Sequence, residues 1–398
     1  MGKFEMNSRQ RMLSALACQE GDYPPCSFML YGGLRSQCHT HAEFIERQVA
    51  MGLDATIQLP PRPPIVVNDY SNLHGLPVSY DPRVQIREWI EHPTDEEWPI
   101  LVKEYDTPGG RLRNEVRKTE DWPWGDHVPF LDDYIIPRAR KFLVTKGEDL
   151  EALRFLLIPP SPKEIAAFKV GSMPAQAQAQ YYDLMVAGGW GVGADLIGWL
   201  CGLENMIFLP YDQPDFFREI LEVISAWNQQ RMEVVLAAGI DLYIKRAWYE
   251  NLDFFTPASW RKYIFPILKS EVDLAHERGS RFGYLITSSC MPLLEMIAEA
   301  GVDVLIGVDP MRWDLEIAKR RVAGKVCLWG GVNGHLTVEG GSASEVRAEV
   351  ERAMEILAPG GGFILSPVDN VREHTPRARE NVQALIEEWR RLTHPGQN

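Results

Sequence analysis

Eight short apolar segments recur along this chain, and helical stretches separate most of them. The segments are residues 26–31, 55–59, 182–187, 240–245, 282–286, 303–307, 326–330 and 363–366. Brief apolar segments of this kind are typical of parallel strands buried on both faces. Helical periodicity is found between them at residues 214–238, 257–278, 291–300 and 344–358. Strands that alternate with helices in this number favour an α/β fold of the (β/α)8 TIM barrel type over a doubly wound sheet.

Two further regions complete the predicted architecture. Residues 7–20 carry apolar positions at helical spacing, with Asn7 or Ser8 as the cap, and predict an N-terminal helix. Residues 68–160 interrupt the alternation with several prolines, and Asp106-Thr-Pro-Gly-Gly-Arg is a hairpin-turn signal. We interpret residues 68–160 as an insertion after the second barrel strand, packed over the barrel mouth. A single domain covering residues 1–398 is therefore predicted.

Composition excludes several classes of function. The net charge of −14 argues against binding to nucleic acid, since phosphate backbones require basic surfaces. The apolar runs are too short to span a membrane, and the first residues lack the apolar segment of a secretory signal. None of the six cysteines forms a C-x-x-C pair, so free thiols in a reducing compartment are predicted. The chain is therefore expected to be cytoplasmic, with no nucleic-acid or membrane partner.

The segment Gly189-Trp-Gly-Val-Gly-Ala194 matches a loose dinucleotide-binding pattern, G-x-G-x-x-A. A nucleotide site would require this pattern in the first strand-to-helix turn of the fold. Here it follows the third predicted strand, so close backbone packing at the barrel mouth is the preferred interpretation.

The segment Cys38-His39-Thr40-His41 brings together three potential metal ligands. Zinc sites generally have paired ligand spacings, which this segment lacks. We therefore interpret it as the start of a helix. The alternative is that His39 or His41 faces a substrate.

The second half of the chain carries motifs that resemble a known superfamily. They are Trp248-Tyr-Glu-Asn, Leu285-Ile-Thr-Ser-Ser-Cys, Leu328-Trp-Gly-Gly-Val-Asn and Ala358-Pro-Gly-Gly-Gly-Phe-Ile-Leu-Ser-Pro367. In this order they resemble the uroporphyrinogen decarboxylase superfamily, which includes methylcobamide:coenzyme M methyltransferases and corrinoid-dependent demethylases. The resemblance implies a TIM barrel with its active site at the carboxyl ends of the strands.

The chain departs from both well-defined branches of that superfamily. The zinc methyltransferases carry His-x-Cys after the fifth strand and a further Cys after the eighth, where this chain has Thr287, Ser289 and Asp369. Hydroxyl and carboxylate oxygens are poor substitutes for these soft ligands, so no zinc is expected. The porphyrinogen decarboxylases carry two arginines near strand one and an Asp after strand two. Here a single Arg35 remains and Pro60-Pro61 stands near the Asp position, which argues against that reaction.

Polar and aromatic residues nevertheless stand at the predicted strand ends. We predict substrate contacts from Tyr31, Arg35, Trp248, Asn251, Thr287, Ser289, Asp309, Asn333 and His335. We predict Glu250 as the general acid, with Asp369 as the second choice. The alternative role for Glu250 is to cap the next helix or to pair with Arg246.

The resemblance implies a demethylating methyltransferase. It would move a methyl group from a small methylated compound, such as an aryl methyl ether, to a corrinoid (cobalamin). No D-x-H-x-x-G corrinoid-binding pattern is present in the chain, so the corrinoid is expected on a separate carrier protein. Two alternatives stay open: a metal-free decarboxylase or lyase that uses Arg35 to anchor a small acid, and an inactive ligand-binding homologue. The sequence does not determine the oligomeric state, and a homodimer is one option.

Overall fold

The computed structural model describes residues 5–60, 76, 78–288 and 290–394. The strands are β1 (Thr56–Leu59), β2 (Gln85–Glu91), β3 (Ile100–Thr107), β4 (Gly110–Arg117), β5 (Ala139–Lys141), β6 (Met185–Gly191), β7 (Leu242–Arg246), β8 (Arg281–Leu285), β9 (Val304–Val308), β10 (Cys327–Asn333) and β11 (Phe363–Val368).

Helices alternate with the parallel strands. They are α1 (Ser8–Leu16), α2 (Gly32–Arg35), α3 (His41–Ala50), α4 (Asp149–Leu153), α5 (Pro162–Tyr181), α6 (Asp195–Cys201), α7 (Leu203–Asp212), α8 (Pro214–Leu236), α9 (Pro257–Ser259), α10 (Phe265–Glu277), α11 (Leu294–Ala300), α12 (Leu315–Val322), α13 (Ala343–Leu357) and α14 (Pro376–Thr393). The helix predicted over residues 257–278 is divided, because a π-helical turn at Trp260–Ile264 separates α9 from α10.

The main sheet is parallel and curls in the order β1-β6-β7-β8-β9-β10-β11. The predicted first strand, residues 26–31, is reduced to one bridge between Cys26 and Leu365 of β11. On its other side the Cys26 carbonyl accepts a hydrogen bond from the Asp54 amide at 2.8 Å, just before β1. The segment thus lies between the two edge strands, and the predicted TIM-barrel fold is confirmed with a much shortened first strand.

Side chains alternate between the two faces of each strand, as the strand period requires. Leu242 and Ile244 of β7 face the barrel interior, where they join Trp329 of β10 in one apolar cluster. Tyr243, between them, belongs to the second and larger core that lies between strands and helices. Helix α1 adds Met12 and Leu16 to the interior cluster. Its Arg9 pairs with Asp241, which precedes β7, so α1 lies at the amino ends of the strands, away from the mouth.

Helix α1 begins where the sequence predicts it. The Asn7 side chain accepts a hydrogen bond from the Gln10 amide and forms a capping box with that residue. The helix ends at Leu16, several residues before the predicted end at residue 20. Within the described part of the chain, no helix is both long and apolar enough to cross a membrane.

The insertion contains an antiparallel sheet in the order β2-β3-β4-β5, which the sequence analysis did not anticipate. The predicted hairpin turn is confirmed, since β3 ends at Thr107 and β4 begins at Gly110. Tyr105 and Phe130 of the insertion join the main core. Asp133 lies 3.2 Å from Arg246 at the carboxyl end of β7, so the insertion contacts the mouth. Residues 68–75 and 77 of the predicted insertion lie outside the described residues.

Candidate active site

A narrow pocket opens at the carboxyl ends of the barrel strands, and we call it the axial pocket. It is lined by Met29, Leu30, Leu285, Thr287, Ile306, Gly307, Trp329, Ser366, Pro367, Val368 and Asp369. Most of these groups are apolar. Thr287 and Asp369 are the two residues of this lining that the sequence analysis selected. Ser289, which it also selected, lies outside the described residues.

Among the described residues that line the axial pocket, Asp369 is the one that is titratable. It directly follows β11 and has a φ of 69°, a left-handed conformation that is uncommon for a residue with a side chain. Asp369 as a whole is exposed to solvent. Partial burial of its carboxyl nevertheless raises the pKa from its usual 3.8, while the charge of Arg372 lowers it and that of Glu339 raises it. A carboxyl with a raised pKa in an apolar pocket is suited to donate a proton.

Beside the axial pocket, Arg246 forms the positive centre of the mouth. Its guanidinium carbon lies 4.3 Å from the ring centre of Trp199 and 3.9 Å from that of Trp248. Asp133 lies at 3.2 Å and Asp195 at 3.4 Å from its nitrogens. The Trp248 Nε1 atom is buried and has no hydrogen-bond partner among the described residues. Trp248, a predicted substrate residue, therefore presents an unused donor in this region.

Asp195 is a buried acid that the sequence analysis missed. It is fully enclosed and accepts hydrogen bonds from the Trp248 and Tyr249 amides, at 3.2 and 2.9 Å. Burial is the main cause that raises its pKa to about 7, against the opposing charge of Arg246. Its position directly after the glycine-rich turn that follows the third barrel strand was a usable signal. The sequence held no comparable signal for Asp133, because this residue lies in the irregular part of the insertion.

Glu250 is placed away from the mouth, between the strands and the helices. Its carboxylate accepts hydrogen bonds from the Tyr284 hydroxyl at 2.7 Å and the Ala194 amide at 2.8 Å, and Lys245 lies 3.5 Å away. The residue is 1% exposed. It thus pairs with Lys245 and not with Arg246, and both of its oxygens are engaged within the protein. This environment does not support its predicted role as general acid.

The glycine-rich turn serves this packing. A Cβ atom on Gly193 would lie 2.1 Å from the Glu250 Oε1 atom, and one on Gly189 would lie 2.5 Å from the Ile244 carbonyl oxygen. Gly189 also has a φ of 118°. The turn therefore has the close backbone packing that the sequence analysis preferred to a nucleotide site.

Several other predicted residues stabilise local turns. The Asn251 amide donates to the Trp248 carbonyl at 2.6 Å. Asn333 donates to Asp309 at 3.0 Å and accepts from the Leu336 amide at 2.6 Å, so it caps the following π-helical turn. The His335 side chain is 70% exposed and lies 3.0 Å from Glu339. The structure therefore brings Asp309 and Asn333 together, while neither they nor His335 line the axial pocket.

A second pocket adjoins the axial pocket, with Met29 and Leu30 in both linings, and we call it the strand-one pocket. It is lined by Phe28, Met29, Leu30, Tyr31, Gly32, Arg35, His41, Phe44, Gln48, Thr56, Gln58 and Asn370. Tyr31 and Arg35 were predicted substrate residues. Thr40 caps α3 as expected, and His39 is exposed. His41 is the residue of that segment that lines a pocket, and no group of three potential metal ligands occurs in the described ranges.

The fold is that of a TIM barrel, and the pockets described above lie at the strand ends where enzymes of this fold have their active sites. The chain belongs to the uroporphyrinogen decarboxylase (URO-D) family, because a sequence model of that family matches residues 144–392, more than half of its length. A methyltransferase from Methanosarcina mazei has a similar structure, with a TM-score of 0.58 and 17% identity over 98% of this chain and 99% of that one.

A more distant structural similarity links the chain to a B12-independent methionine synthase from a Shewanella strain. The TM-score is 0.48 and the identity 9%, over 93% of this chain and 97% of that one. No curated protein matches the chain significantly in sequence.

Proposed function

We propose that this enzyme transfers a methyl group from a small methylated compound, such as an aryl methyl ether, to a corrinoid on a partner protein. Membership of the URO-D family and the fold shared with a methyltransferase support this proposal. The observation that carries it is the axial pocket, whose largely apolar lining includes, among the described residues, one titratable residue, Asp369. In this structure the pocket has a volume of about 10 Å³, which is the room of about one water molecule, so its lining side chains must move apart before a small neutral methyl donor can enter.

Methyl transfer from an ether breaks the bond between the methyl carbon and oxygen. A reduced corrinoid bound at the mouth would supply the nucleophile for the methyl carbon. The remaining oxygen takes a proton and leaves as a phenol, and we assign that proton to the Asp369 carboxyl. Once the lining has opened, apolar side chains such as Leu285, Ile306 and Trp329 would contact the methyl donor and exclude water from it.

The proposal involves no zinc. Activation of a thiol by Zn²⁺ relies on Cys and His ligands. Thr287 and Asp369, which line the axial pocket, offer a neutral hydroxyl and a hard carboxylate instead. These oxygen groups do not fit a soft zinc site, so the reaction is assigned to acid catalysis by the protein.

A methyl-transfer screen tests the proposed function. The purified enzyme is incubated with chemically reduced cobalamin and a panel of methoxyaromatics, and methylcobalamin is followed by its absorbance. We expect methylcobalamin and the matching phenol in equal amounts, and neither with the demethylated phenols as controls. Absence of transfer from every donor, with free cobalamin and with corrinoid carriers, would overturn the proposal.

One observation favours a second candidate, the decarboxylation of a small acid. Arg35 lines the strand-one pocket and could hold a carboxylate. Release of CO₂ from aromatic acids that carry no methoxyl group would support this reaction over methyl transfer.

A further inference from the structure

The strand-one pocket contains a cation without an acidic partner. Arg35 donates one hydrogen bond, at 2.9 Å, to the Cys38 carbonyl. No carboxylate of the described residues lies within ion-pair distance of its guanidinium, although the chain carries a net charge of −14. The described residues that line the pocket include no Asp, Glu or Lys, so Arg35 gives the pocket a positive potential.

His41 is a polar residue of this pocket whose ring has no hydrogen-bond partner among the described residues. Its Nε2 atom is fully enclosed, and neither ring nitrogen has a hydrogen bond within the described ranges. Burial, assisted by the charge of Arg35, lowers the pKa of His41 to about 4, so the ring is a neutral imidazole at neutral pH. An enclosed polar nitrogen without a partner is unfavourable unless a ligand or water supplies one.

The other described residues that line the pocket are uncharged, and three of them, Phe28, Tyr31 and Phe44, are aromatic. Phe28 and Tyr31 lie with their ring centres 5.1 Å apart, and Phe44 lies 6.1 Å from the His41 ring. Gln58 holds its amide oxygen 2.8 Å from the Trp190 Nε1 atom. Rings of this kind pack well against a flat apolar group.

We propose that the strand-one pocket binds the carboxylate end of an aromatic or similarly flat monocarboxylate, held by Arg35 and by a hydrogen bond from His41. The proposal rests on the proposed function only in naming the substrate class: the methyl donor carries a carboxylate at its non-reacting end. Since Met29 and Leu30 line both pockets, a ligand anchored here extends towards Asp369.

Equilibrium binding of benzoate tests this site without any methyl transfer. Benzamide, which has the same shape and no charge, is the matched probe. By calorimetry we expect benzoate to bind about tenfold or more tightly than benzamide, the difference that one charge-assisted hydrogen bond supplies. Arg35→Met should weaken benzoate binding by about tenfold or more and affect benzamide much less, because it removes the charge. His41→Leu should weaken the binding of both ligands, because the imidazole can donate to either carbonyl oxygen. His41→Gln, which can restore a donor, should recover part of the loss.

Two further variants separate ligand binding from a loss of folding. His39→Leu removes an exposed imidazole two residues from His41 and should leave benzoate binding unchanged. Gln58→Glu keeps an acceptor for Trp190 and adds a negative charge to the pocket, so it should weaken benzoate binding and spare benzamide. Equal affinities for benzoate and benzamide would overturn the proposed site. So would an affinity for benzoate that is unchanged in the Arg35→Met and Gln58→Glu variants. Failure of every methyl donor, with benzoate binding intact, would overturn the proposed function alone.

Discussion

The Lys245 ammonium lies 2.7 Å from the Glu271 carboxylate, and both side chains are fully buried. Glu250 lies 3.5 Å from the same ammonium, so two carboxylates share one cation. Burial raises the pKa of Glu271, while Lys245 acts in the opposite direction. The cluster joins β7 to α10 and, through Tyr284, to β8. It explains why Glu250, which follows a barrel strand, is not available to a substrate.

We expect Lys245→Met to destabilise the protein severely. Removal of the ammonium leaves two carboxylates buried without a counter-ion, which costs about 3–5 kcal/mol of unfolding free energy. The matched control is Lys269→Met on α10, where the Lys269 side chain is 43% exposed and pairs with Asp273. That change should cost less than about 1 kcal/mol. Similar urea midpoints for the two variants would contradict a structural role for the cluster.

Asp369→Asn should lower turnover of an accepted methyl donor by about 100-fold or more without weakening substrate binding, because it removes the proton donor and keeps the shape. In the unsubstituted enzyme the rate should fall as pH rises through the raised pKa of Asp369, since the protonated carboxyl is the active form. Glu250→Gln is the control and should stay close to the parental rate. If Glu250→Gln is the slow variant and Asp369→Asn is not, the assignment of the acid is reversed.

Asp195 should make stability depend on pH. Its pKa is raised from 3.8 to about 7 in the folded protein, so the folded state binds the proton more tightly than the unfolded state. The stability from this proton is present below about pH 4 and is lost as pH rises to about 7. Asp195→Asn should remove this loss, which is on the order of 2–4 kcal/mol. Urea unfolding at pH 5 and pH 8 measures this loss of unfolding free energy, and Asp215→Asn is the control at an exposed carboxyl. The prediction is refuted if the unsubstituted enzyme and both variants show the same pH dependence.

Asp133 should hold the insertion against the mouth. It accepts hydrogen bonds from Trp199 Nε1 at 2.7 Å, the Tyr249 hydroxyl at 2.9 Å and Arg246 at 3.2 Å. Asp133→Ala should therefore accelerate amide hydrogen exchange over residues 130–144, at a cost of about 1–3 kcal/mol. Asp126→Ala, in the same insertion, removes a side chain that is 68% exposed and should leave exchange unchanged. Equal exchange in the two variants would show that the contact is not a restraint.

Purified enzyme should contain substoichiometric zinc by elemental analysis, and added zinc should not raise its activity. We expect little bound zinc because Thr287 and Asp369 offer hydroxyl and carboxylate oxygens, which suit hard cations better than Zn²⁺. The discriminating variant is Asp369→Ala. One tightly held zinc per chain that is lost in this variant would contradict the prediction.

The order of the elements and several local signals could be predicted from the sequence. Strand and helix patterns depend on neighbours along the chain, so they identified the parallel strands, the cap at Asn7 and the hairpin turn after Thr107. The motifs after the fourth, fifth, seventh and eighth strands led to the family. The resemblance points to Asp369 because it stands where the zinc methyltransferases carry their second Cys, and Asp369 does line the axial pocket.

The environment of each polar side chain was decided by tertiary structure. Glu250 is engaged because Tyr284, 34 residues away, donates to its carboxylate. Arg246 meets Asp133 across 113 residues, and no local pattern pairs them. Arg35 and His41 are candidate ligand-binding residues because, among the described residues, tertiary packing places no carboxylate beside Arg35 and no hydrogen-bond partner beside the His41 ring. A local sequence pattern indicates the secondary-structure propensity of a segment and the face on which a side chain lies. Burial, nearby charges and hydrogen-bond partners arise from contacts between distant parts of the chain, and they decide which strand-end residue can act on a substrate.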